Sequence, residues 1–383
     1  MVLTTKLRIA LTSMISMVVV MGMGRFALTP QLPHMITEGQ ITLTQASLLA
    51  AANFLGYLLG AIETISAKHH LILRLKCGLW ASGIILALSA LIPFNASGIY
   101  INLLLRFMAG IASAWTLVLI STWVQDQLGK DHALRTVAFS GPGVGIILTG
   151  VIALILDCWH ASAAVNWLVF GGIALILSFI IRQNLPGTLP DVSIESRFPM
   201  TVNAYRLMIG YGLCGMAYIL PATFLSKLAK DQFPGALVAD AFWPLFGMAV
   251  IIGMSLLAVQ RNIRNPQKWL AAIFCIQGSG VLACTLLHGF IGLLTGALLV
   301  GGSFMVILQL TMRLGAELAP YHVRAMLGIL TTGFSVGQLI GPLLSALSTH
   351  LYASMTPALL IAAAGSFIAA VLVYPILPFL PQE

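Results

Sequence analysis

The sequence predicts an all-α membrane protein in which twelve transmembrane helices form two pseudo-symmetric six-helix bundles. Three observations support this prediction: an apolar composition, twelve long apolar segments, and glycine–proline patterns that recur in both halves of the chain. Of the 383 residues, 59% are hydrophobic and 8% are charged, whereas soluble domains contain about 25% charged residues. So few charges cannot cover a globule with polar surface, and we infer that lipid is the solvent.

The apolar segments define the helices, because about 20 apolar residues cross the roughly 30 Å hydrocarbon core of a bilayer. Backbone groups in lipid must bond within their own segment, and a β-barrel would instead show alternating segments of about ten residues. The first apolar run continues past Met23, so we expect an uncleaved span there. We predict spans 1 to 12 at residues 9–35, 42–66, 75–93, 98–124, 136–157, 161–181, 201–228, 237–259, 269–288, 290–314, 325–347 and 356–378.

The distribution of basic residues predicts the orientation. If both termini are cytoplasmic, most of the 19 Lys and Arg residues fall on the cytoplasmic side, and Lys227 and Lys230 fall outside. Positive charge marks the cytoplasmic side of membrane proteins. We therefore predict a multi-pass protein of the cytoplasmic (inner) membrane of a bacterium. The formal charge of +8 then reflects insertion topology, which argues against nucleic-acid binding.

The two halves of the chain share a pattern. The polar stretch 182–200 lies between spans 6 and 7, and we predict a cytoplasmic linker there, between an N-terminal bundle (1–181) and a C-terminal bundle (201–383). Gly24 and Pro30 of span 1 recur at the same spacing as Gly215 and Pro221 of span 7. Parallel repeats of this kind occur in transporters that are built from two similar halves.

Glycine and proline at matching places predict helix hinges, since both weaken a helix. In span 5 a Gly-Pro pair precedes further glycines, and span 11 has the corresponding pair. Close packing of helices is the alternative interpretation. The predicted hinge residues are Gly24, Pro30, Gly141, Pro142, Pro221, Gly341 and Pro342.

Arg25 and Arg106 are basic residues within spans, where positive-inside charge does not explain them. A charged side chain at a helix centre costs about 2.5–3.5 kcal/mol on insertion scales, so it faces a cavity, a partner or a ligand. We expect no carboxylate at mid-depth to neutralise either arginine. Two interpretations stay open: the arginines bind an anionic substrate in a central cavity, or they bond backbone carbonyls exposed by nearby Gly and Pro residues.

Other polar and aromatic residues within spans are weaker candidates. Asn53, Tyr218 and Trp243 are predicted to line the cavity, although such residues also serve helix packing. Glu63 and Asp240 are candidates for proton coupling, because carboxylates carry protons in membrane proteins. Both lie near span ends, where an interfacial acid is the alternative.

No sequence motif indicates an enzyme. Phosphate-binding glycine loops, nucleophile elbows and His/Cys sets with metal-ligand spacing do not occur in the sequence. The five cysteines are scattered in apolar runs without a CxxC pair. We therefore predict no catalytic residues, no metal and no cofactor.

Two motifs resemble those of the major facilitator superfamily. Residues 106–114 (RFMAGIASA) in span 4 resemble its motif B, and residues 140–145 (SGPGVG) in span 5 resemble part of motif C, which many antiporters of the superfamily contain. Residues 60–70 (GAIETISAKHH) keep an acid after a glycine but depart from motif A. The gating role of motif A therefore does not carry over to Glu63.

The narrowest resemblance is to the YbfB/YjiJ family of major facilitator transporters. It rests on residues 22–33 (GMGRFALTPQLP), 53–60 (NFLGYLLG), 211–224 (YGLCGMAYILPATF) and 242–247 (FWPLFG). The resemblance covers most of the chain and implies the major facilitator fold. It implies no particular substrate.

The family resemblance implies a secondary active transporter that moves a small organic solute by alternating access. We expect an anionic substrate, proton coupling and, from the partial motif C, a preference for export. The expected partners are this solute and membrane lipid, and the expected state is a monomer. The alternative is a membrane sensor that keeps the transporter fold and moves no solute.

Overall fold

The structure is a computed structural model that describes residues 2–67, 69–92, 98–128, 131–189, 200–236, 238–260, 263–320 and 322–376. These residues form helices and connecting turns, and no β-strand occurs among them. Twelve of the described segments are long and apolar enough to cross a membrane. The predicted all-α fold with twelve transmembrane helices is therefore confirmed.

Most spans are single helices. They are span 2 (Leu43–Ser66), span 3 (Leu71–Leu91), span 4 (Gly98–Leu128), span 6 (Ala163–Ile181), span 7 (Val202–Gln232), span 8 (Val238–Val259), span 9 (Pro266–Leu286), span 10 (Phe290–Leu318), span 11 (Val323–Tyr352) and span 12 (Thr356–Val373). Spans 4 and 10 extend a turn beyond their predicted ends, because hydropathy marks the lipid-facing length and a helix continues through polar residues beyond it.

Span 1 is interrupted at the predicted hinge. It consists of helix Val2–Met17, a wide turn at Val18–Met23 and helix Leu28–Thr37. In the wide turn the backbone N–H groups of Gly24 and Phe26 donate to carbonyls five residues back, those of Val19 (2.8 Å) and Met21 (2.9 Å). Such turns widen a helix locally and recur at functional sites. Arg25 follows directly, where the chain is in neither helix.

The other predicted hinges differ between the halves. Span 5 is broken at Ser140 into helices His132–Phe139 and Gly141–Cys158, with Pro142 in the first turn of the second helix. Spans 7 and 11 are continuous helices that contain Pro221 and Pro342. A proline removes one backbone donor, and the helix continues where packing from neighbouring helices compensates for it.

The twelve spans form two bundles of six. In the first half, span 2 packs on span 4 and span 3 packs on spans 4 and 6; in the second, span 7 packs on spans 11 and 12, and span 9 packs on spans 10 and 12. Between the halves, span 2 runs along span 11 and span 5 along span 8. Most of the predicted linker, residues 190–199, lies outside the described residues.

We call the membrane side where span 1 begins the terminal face, and the side where it ends the opposite face. Near the opposite face, the bundles are joined by direct contacts. The Thr29 hydroxyl of span 1 donates to the Ala222 carbonyl of span 7 (2.6 Å). The Ser47 hydroxyl of span 2 lies 3.4 Å from the Ser345 hydroxyl of span 11. The interface between the bundles is thus closed toward the opposite face.

Small residues permit this close approach. A Cβ atom added to Gly143 of span 5 would lie 3.1 Å from the Gly247 carbonyl oxygen of span 8. A Cβ atom added to Gly150 would lie 2.5 Å from the Pro244 ring. Backbones that meet this closely exclude larger side chains. Gly143 and Gly150 therefore pack the two bundles together.

Candidate substrate site

A narrow cavity of about 10 Å³, room for about one water molecule, lies between spans 1, 2, 4 and 7. Both arginines within the spans line it, although they are far apart in sequence. The lining residues are Arg25, Phe26, Leu28, Thr29, Ala50, Asn53, Phe54, Arg106 and Thr223. All but Thr223 belong to the first bundle, and no carboxylate is among them. The cavity therefore has a positive lining.

Arg25 is buried, with 4% of its surface exposed. Its guanidinium carbon lies 4.7 Å from the ring centre of Phe54 and 4.4 Å from that of Tyr57, one turn apart on span 2. Nη1 points to the Met21 sulfur at 3.9 Å. Nε and Nη2 make no hydrogen bond. Aromatic faces hold a guanidinium by cation–π attraction, and the Tyr57 hydroxyl also interacts with it. These groups orient Arg25, and no carboxylate lines the cavity to pair with its charge.

Arg106 is held differently. Its Nη2 donates to the Ser89 hydroxyl of span 3 (2.7 Å), and its guanidinium carbon lies 4.6 Å from the Trp167 ring centre of span 6. Nη1 has no hydrogen-bond partner. Arg106 therefore ties spans 3, 4 and 6 together and keeps one donor for the cavity.

Asn53 connects spans 2 and 4. Its Nδ2 donates to the backbone carbonyl of Arg106 (3.0 Å), and its Oδ1 is buried without a hydrogen-bond partner. The spans meet here because Gly110 has no side chain: a Cβ atom there would collide with the Asn53 carbonyl and would lie 2.6 Å from the Tyr57 nitrogen. Gly110 thus sets the position of Asn53 and of the Tyr57 ring beside Arg25.

Two predicted cavity residues, Tyr218 and Trp243, do not line this cavity. Tyr218 is buried and stacks on Phe304 with ring centres 4.2 Å apart, and its hydroxyl has no hydrogen-bond partner. The Trp243 indole donates to the Thr149 hydroxyl across the bundle interface (3.3 Å). Its ring meets the edge of Phe26 at 6.2 Å. Trp243 therefore lies directly behind the lining residue Phe26, and Tyr218 lies behind Phe304, whose ring also contacts Phe26 at 6.2 Å.

Sequence reasoning missed the aromatic support of Arg25. Tyr57 lies one helical turn after Asn53, and Phe54 lies one turn before Tyr57, so span 2 presents all three on related faces. Their spacing to Asn53 was the available signal. Aromatic residues are common in apolar spans, and only the packing of span 1 against span 2 singles them out.

The two proton-coupling candidates lie away from the cavity. Glu63, near the terminal face, accepts from Arg74 Nε (2.9 Å) and from the Trp115 indole (2.8 Å). Asp240, near the opposite face, pairs with Lys230 (3.1 Å). In the described part of the chain, no group of three His, Cys, Asp or Glu side chains has the arrangement of a metal site.

A sequence model of the family described as "Uncharacterised MFS-type transporter YbfB" matches residues 17–374. The chain belongs to this family. The match includes both arginines of the cavity, Asn53, span 1 from residue 17 onward and all eleven later spans, so the predicted resemblance is confirmed. Membership of the YbfB family makes the chain a multi-pass membrane transporter of the major facilitator type. No curated protein matches it in sequence.

The fold of this YbfB-family chain is similar to that of solved transporters. One is a crystal structure of a variant of the nucleoside transporter NupG, with a TM-score of 0.68 over 96% of this chain and 98% of that one. The sequences are 16% identical. The likeness therefore supports the two-bundle fold, and it carries no information about the substrate of the YbfB-family chain.

Proposed function

We propose that this chain is a secondary active transporter that carries a small organic anion by alternating access. The substrate's negative group binds between Arg25 and Arg106 after movement of the bundles has widened this small cavity. The two bundles, 1–181 and 201–383, rock about this cavity, and the linker 182–200 joins them. Tyr218 and Trp243 contribute at a later stage of the cycle, when motion of Phe26 exposes them.

The observation that carries this proposal is the unpartnered guanidinium of Arg25. A buried donor without an acceptor costs about 1–3 kcal/mol, and more when it is charged. Nε and Nη2 are buried without a hydrogen bond of normal geometry, and the oxygen that interacts with the guanidinium is the uncharged hydroxyl of Tyr57. An ionised carboxylate or phosphate would accept from both and relieve that cost, since guanidinium binds such groups through paired hydrogen bonds.

The surroundings of Arg106 support the same conclusion. Its free Nη1 and the positive lining extend the site, whereas a neutral cargo would leave two positive charges uncompensated. The alternative, that nearby backbone carbonyls satisfy the arginines, has no support at Arg25. At Arg106 the partners are the Ser89 hydroxyl and the Trp167 ring.

We further propose that the carrier is monomeric, is coupled to protons and favours export. It lies in the inner membrane of a bacterium with both termini in the cytoplasm. The excess of basic residues in the connections on the terminal face supports this orientation. The partial motif C at residues 140–145 supports export. Asp240 is the better of the two proton-coupling candidates, because Glu63 is engaged by Arg74 and Trp115 within one bundle.

The substrate class is tested by a thermal-shift screen of the purified protein with matched pairs of carboxylates and their amides. Binding to the native state raises apparent stability. We expect carboxylates to stabilise the protein and their amides not to. Arg25→Ala should weaken carboxylate binding about 10- to 100-fold, the range expected from loss of a charged hydrogen-bond pair. Arg25→Lys should restore only part of the carboxylate binding, because lysine keeps the positive charge but lacks the planar pair of N–H donors.

Arg182 provides a matched control. It is also an arginine stacked on a ring, that of Phe179, but it lies at the exposed end of span 6. Arg182→Ala should leave carboxylate binding unchanged. Solute counterflow in proteoliposomes then separates a carrier from a sensor. Equal stabilisation by amides, or unchanged counterflow in both Arg25 variants, would contradict the proposal.

A further inference from the structure

A cluster of ionisable side chains closes the bundle interface at the opposite face. We call it the interface cluster; it consists of His34 of span 1, Asp157 of span 5, Lys230 of span 7 and Asp240 of span 8. The Lys230 ammonium lies 2.6 Å from Asp157 Oδ2 and 3.1 Å from Asp240 Oδ1. Asp157 belongs to the first bundle, and Lys230 and Asp240 to the second. The cluster is therefore complete only when the opposite face is closed.

The charges of the cluster do not balance. Two carboxylates share one ammonium, and His34 Nδ1 lies 3.7 Å from Asp157 Oδ1. Glu38, the next charged group toward His34, accepts from the Ala163 backbone (2.8 Å) and adds negative charge. With His34 neutral, the interface cluster carries one negative charge in excess.

Burial makes this excess charge costly. Asp240 exposes 11% of its side chain, and Asp157 exposes 25%. The two carboxyl groups contact the same ammonium from either bundle, so their facing oxygens lie less than 6 Å apart. Carboxylates that share one buried site resist carrying two negative charges, and they bind one proton as a pair.

We propose that the interface cluster is a proton-binding site that exists only in the conformation closed at the opposite face. The proton is shared by Asp157 and Asp240 beside Lys230. Opening the face separates Asp157 from the other two groups and hydrates all three. The carboxyl groups then ionise as they do in water, and the proton leaves.

Proton binding is linked to closure of the opposite face, and this linkage fixes the direction in which pH shifts the equilibrium. The closed conformation binds one proton more than the open one, so acid favours closure and alkali favours opening. The ratio of closed to open molecules changes by at most tenfold per pH unit for a single linked proton. This inference rests on the alternating access of the proposed function, but it requires neither transport nor an anionic substrate.

The test measures access to the opposite face directly. Ser47 is buried there, beside Ser345. Cys77, Cys158 and Cys275 are exposed, and serine replaces them in the parent protein; Cys214 and Cys284 are buried. The cysteine introduced by Ser47→Cys is then reacted with a maleimide between pH 5 and 8. Each rate is divided by the rate of the denatured protein at that pH.

We expect the normalised rate to fall on acidification, by up to tenfold per pH unit. Asp240→Asn and Asp157→Asn should each give a low rate that no longer depends on pH, because the amide mimics the protonated acid. Lys230→Gln should move the response to higher pH, because the carboxyl pair then binds its proton without a competing cation. A purely structural ion pair would not produce that displacement.

Asp231→Asn is the matched control. Asp231 lies at the same face and pairs with Lys227 outside the interface cluster. The maleimide rate of the Asp231→Asn variant should therefore depend on pH as that of the parent does. A parent rate without pH dependence, or a response that survives both Asp240→Asn and Asp157→Asn, would overturn the proposal. Neither result bears on carboxylate binding at Arg25, which the thermal-shift screen reports independently.

Discussion

Arg25 and Arg106 carry the same charge in different surroundings. Ser89 and Trp167 hold Arg106 within the first bundle. Arg25 rests against the rings of Phe54 and Tyr57, which attract its positive charge but supply no negative charge to pair with it. Arg25 is therefore the residue whose donors a substrate completes, and Arg106 both supports the site and adds charge to it.

Asn53→Asp places a carboxylate at the cavity wall beside two unpaired cations. We expect this internal anion to occupy the site, so that apparent affinity for carboxylates falls at least about tenfold, as for loss of one charged hydrogen bond. Thermal stability without ligand should stay equal or rise, because the arginines gain a counter-charge. The thermal-shift titration used for Arg25 measures both quantities.

Asn53→Ser is the control for that substitution. It also removes the amide that donates to the Arg106 carbonyl, but it introduces no charge. We expect some loss of stability and continued carboxylate binding. If Asn53→Ser and Asn53→Asp weaken binding equally, charge is not the cause and the internal-anion explanation fails.

At the scale of single residues, the sequence identified the two charged side chains but not the groups that surround them. Arg25 and Arg106 stand out because a positive charge within an apolar span is costly and the positive-inside rule does not explain it. Phe54 and Tyr57 do not stand out, because aromatic residues are ordinary in such spans. Their role depends on the angle at which span 1 faces span 2, which no local pattern encodes.

Among the elements, the contact between spans 2 and 4 positions the site. Gly110→Ala adds a Cβ atom that collides with the Asn53 carbonyl. Overpacking of this kind costs about 1–3 kcal/mol, and it would push Asn53 and Tyr57 away from Arg25. We expect a lower melting temperature together with weaker carboxylate binding, measured on the same purified sample.

Gly172→Ala in span 6 is the matched substitution, because nothing lies within 4 Å of an added Cβ atom there. It should leave both melting temperature and binding unchanged. If Gly110→Ala behaves like Gly172→Ala, spans 2 and 4 are less tightly packed than described.

Helix positions were predictable from the sequence, whereas the sequence could not show which of the glycine–proline sites interrupt a helix. Twelve apolar segments gave twelve spans because the thickness of the bilayer fixes the length of a spanning segment, and a helix satisfies its backbone hydrogen bonds without water. Glycine and proline marked spans 1, 5, 7 and 11 alike, yet spans 7 and 11 are continuous at Pro221 and Pro342. Whether a weakened helix breaks depends on the neighbours that pack against it, and these are set by the tertiary fold.

For the whole molecule, closure of the opposite face brings Ser47 and Ser345 together. The double variant Ser47→Cys/Ser345→Cys should form a disulfide under mild oxidation, since the two side chains point at each other. The disulfide would hold the two bundles together. We expect counterflow in proteoliposomes to stop on oxidation and to return with a reductant.

Each single variant should keep its counterflow under the same oxidation, which excludes unspecific damage. Counterflow that continues through an oxidised, cross-linked protein would mean that the bundles do not separate at this face. Alternating access about the Arg25 cavity would then be wrong.

The contact across the bundles was beyond sequence reasoning. Asp157 and Lys230 lie in different halves of the chain, and the sequence around each one predicts only a charged side chain at the membrane surface. Asp240 was named as a proton-coupling candidate without its partners. Only the relative placement of the two bundles, which is a property of the complete fold, makes a single cluster of them.

The wide turn in span 1 has a geometric consequence. A helix with bonds to carbonyls five residues back contains one residue more in that turn than an α-helix does. If the turn rewound into regular α-helix, everything beyond it would rotate by roughly 100°, the angle that one residue occupies on a helix. Arg25 lies inside the last of these wide bonds, between the Met21 carbonyl and the Phe26 N–H. A change of winding would therefore turn the Arg25 guanidinium away from the rings of span 2 without tilting either bundle.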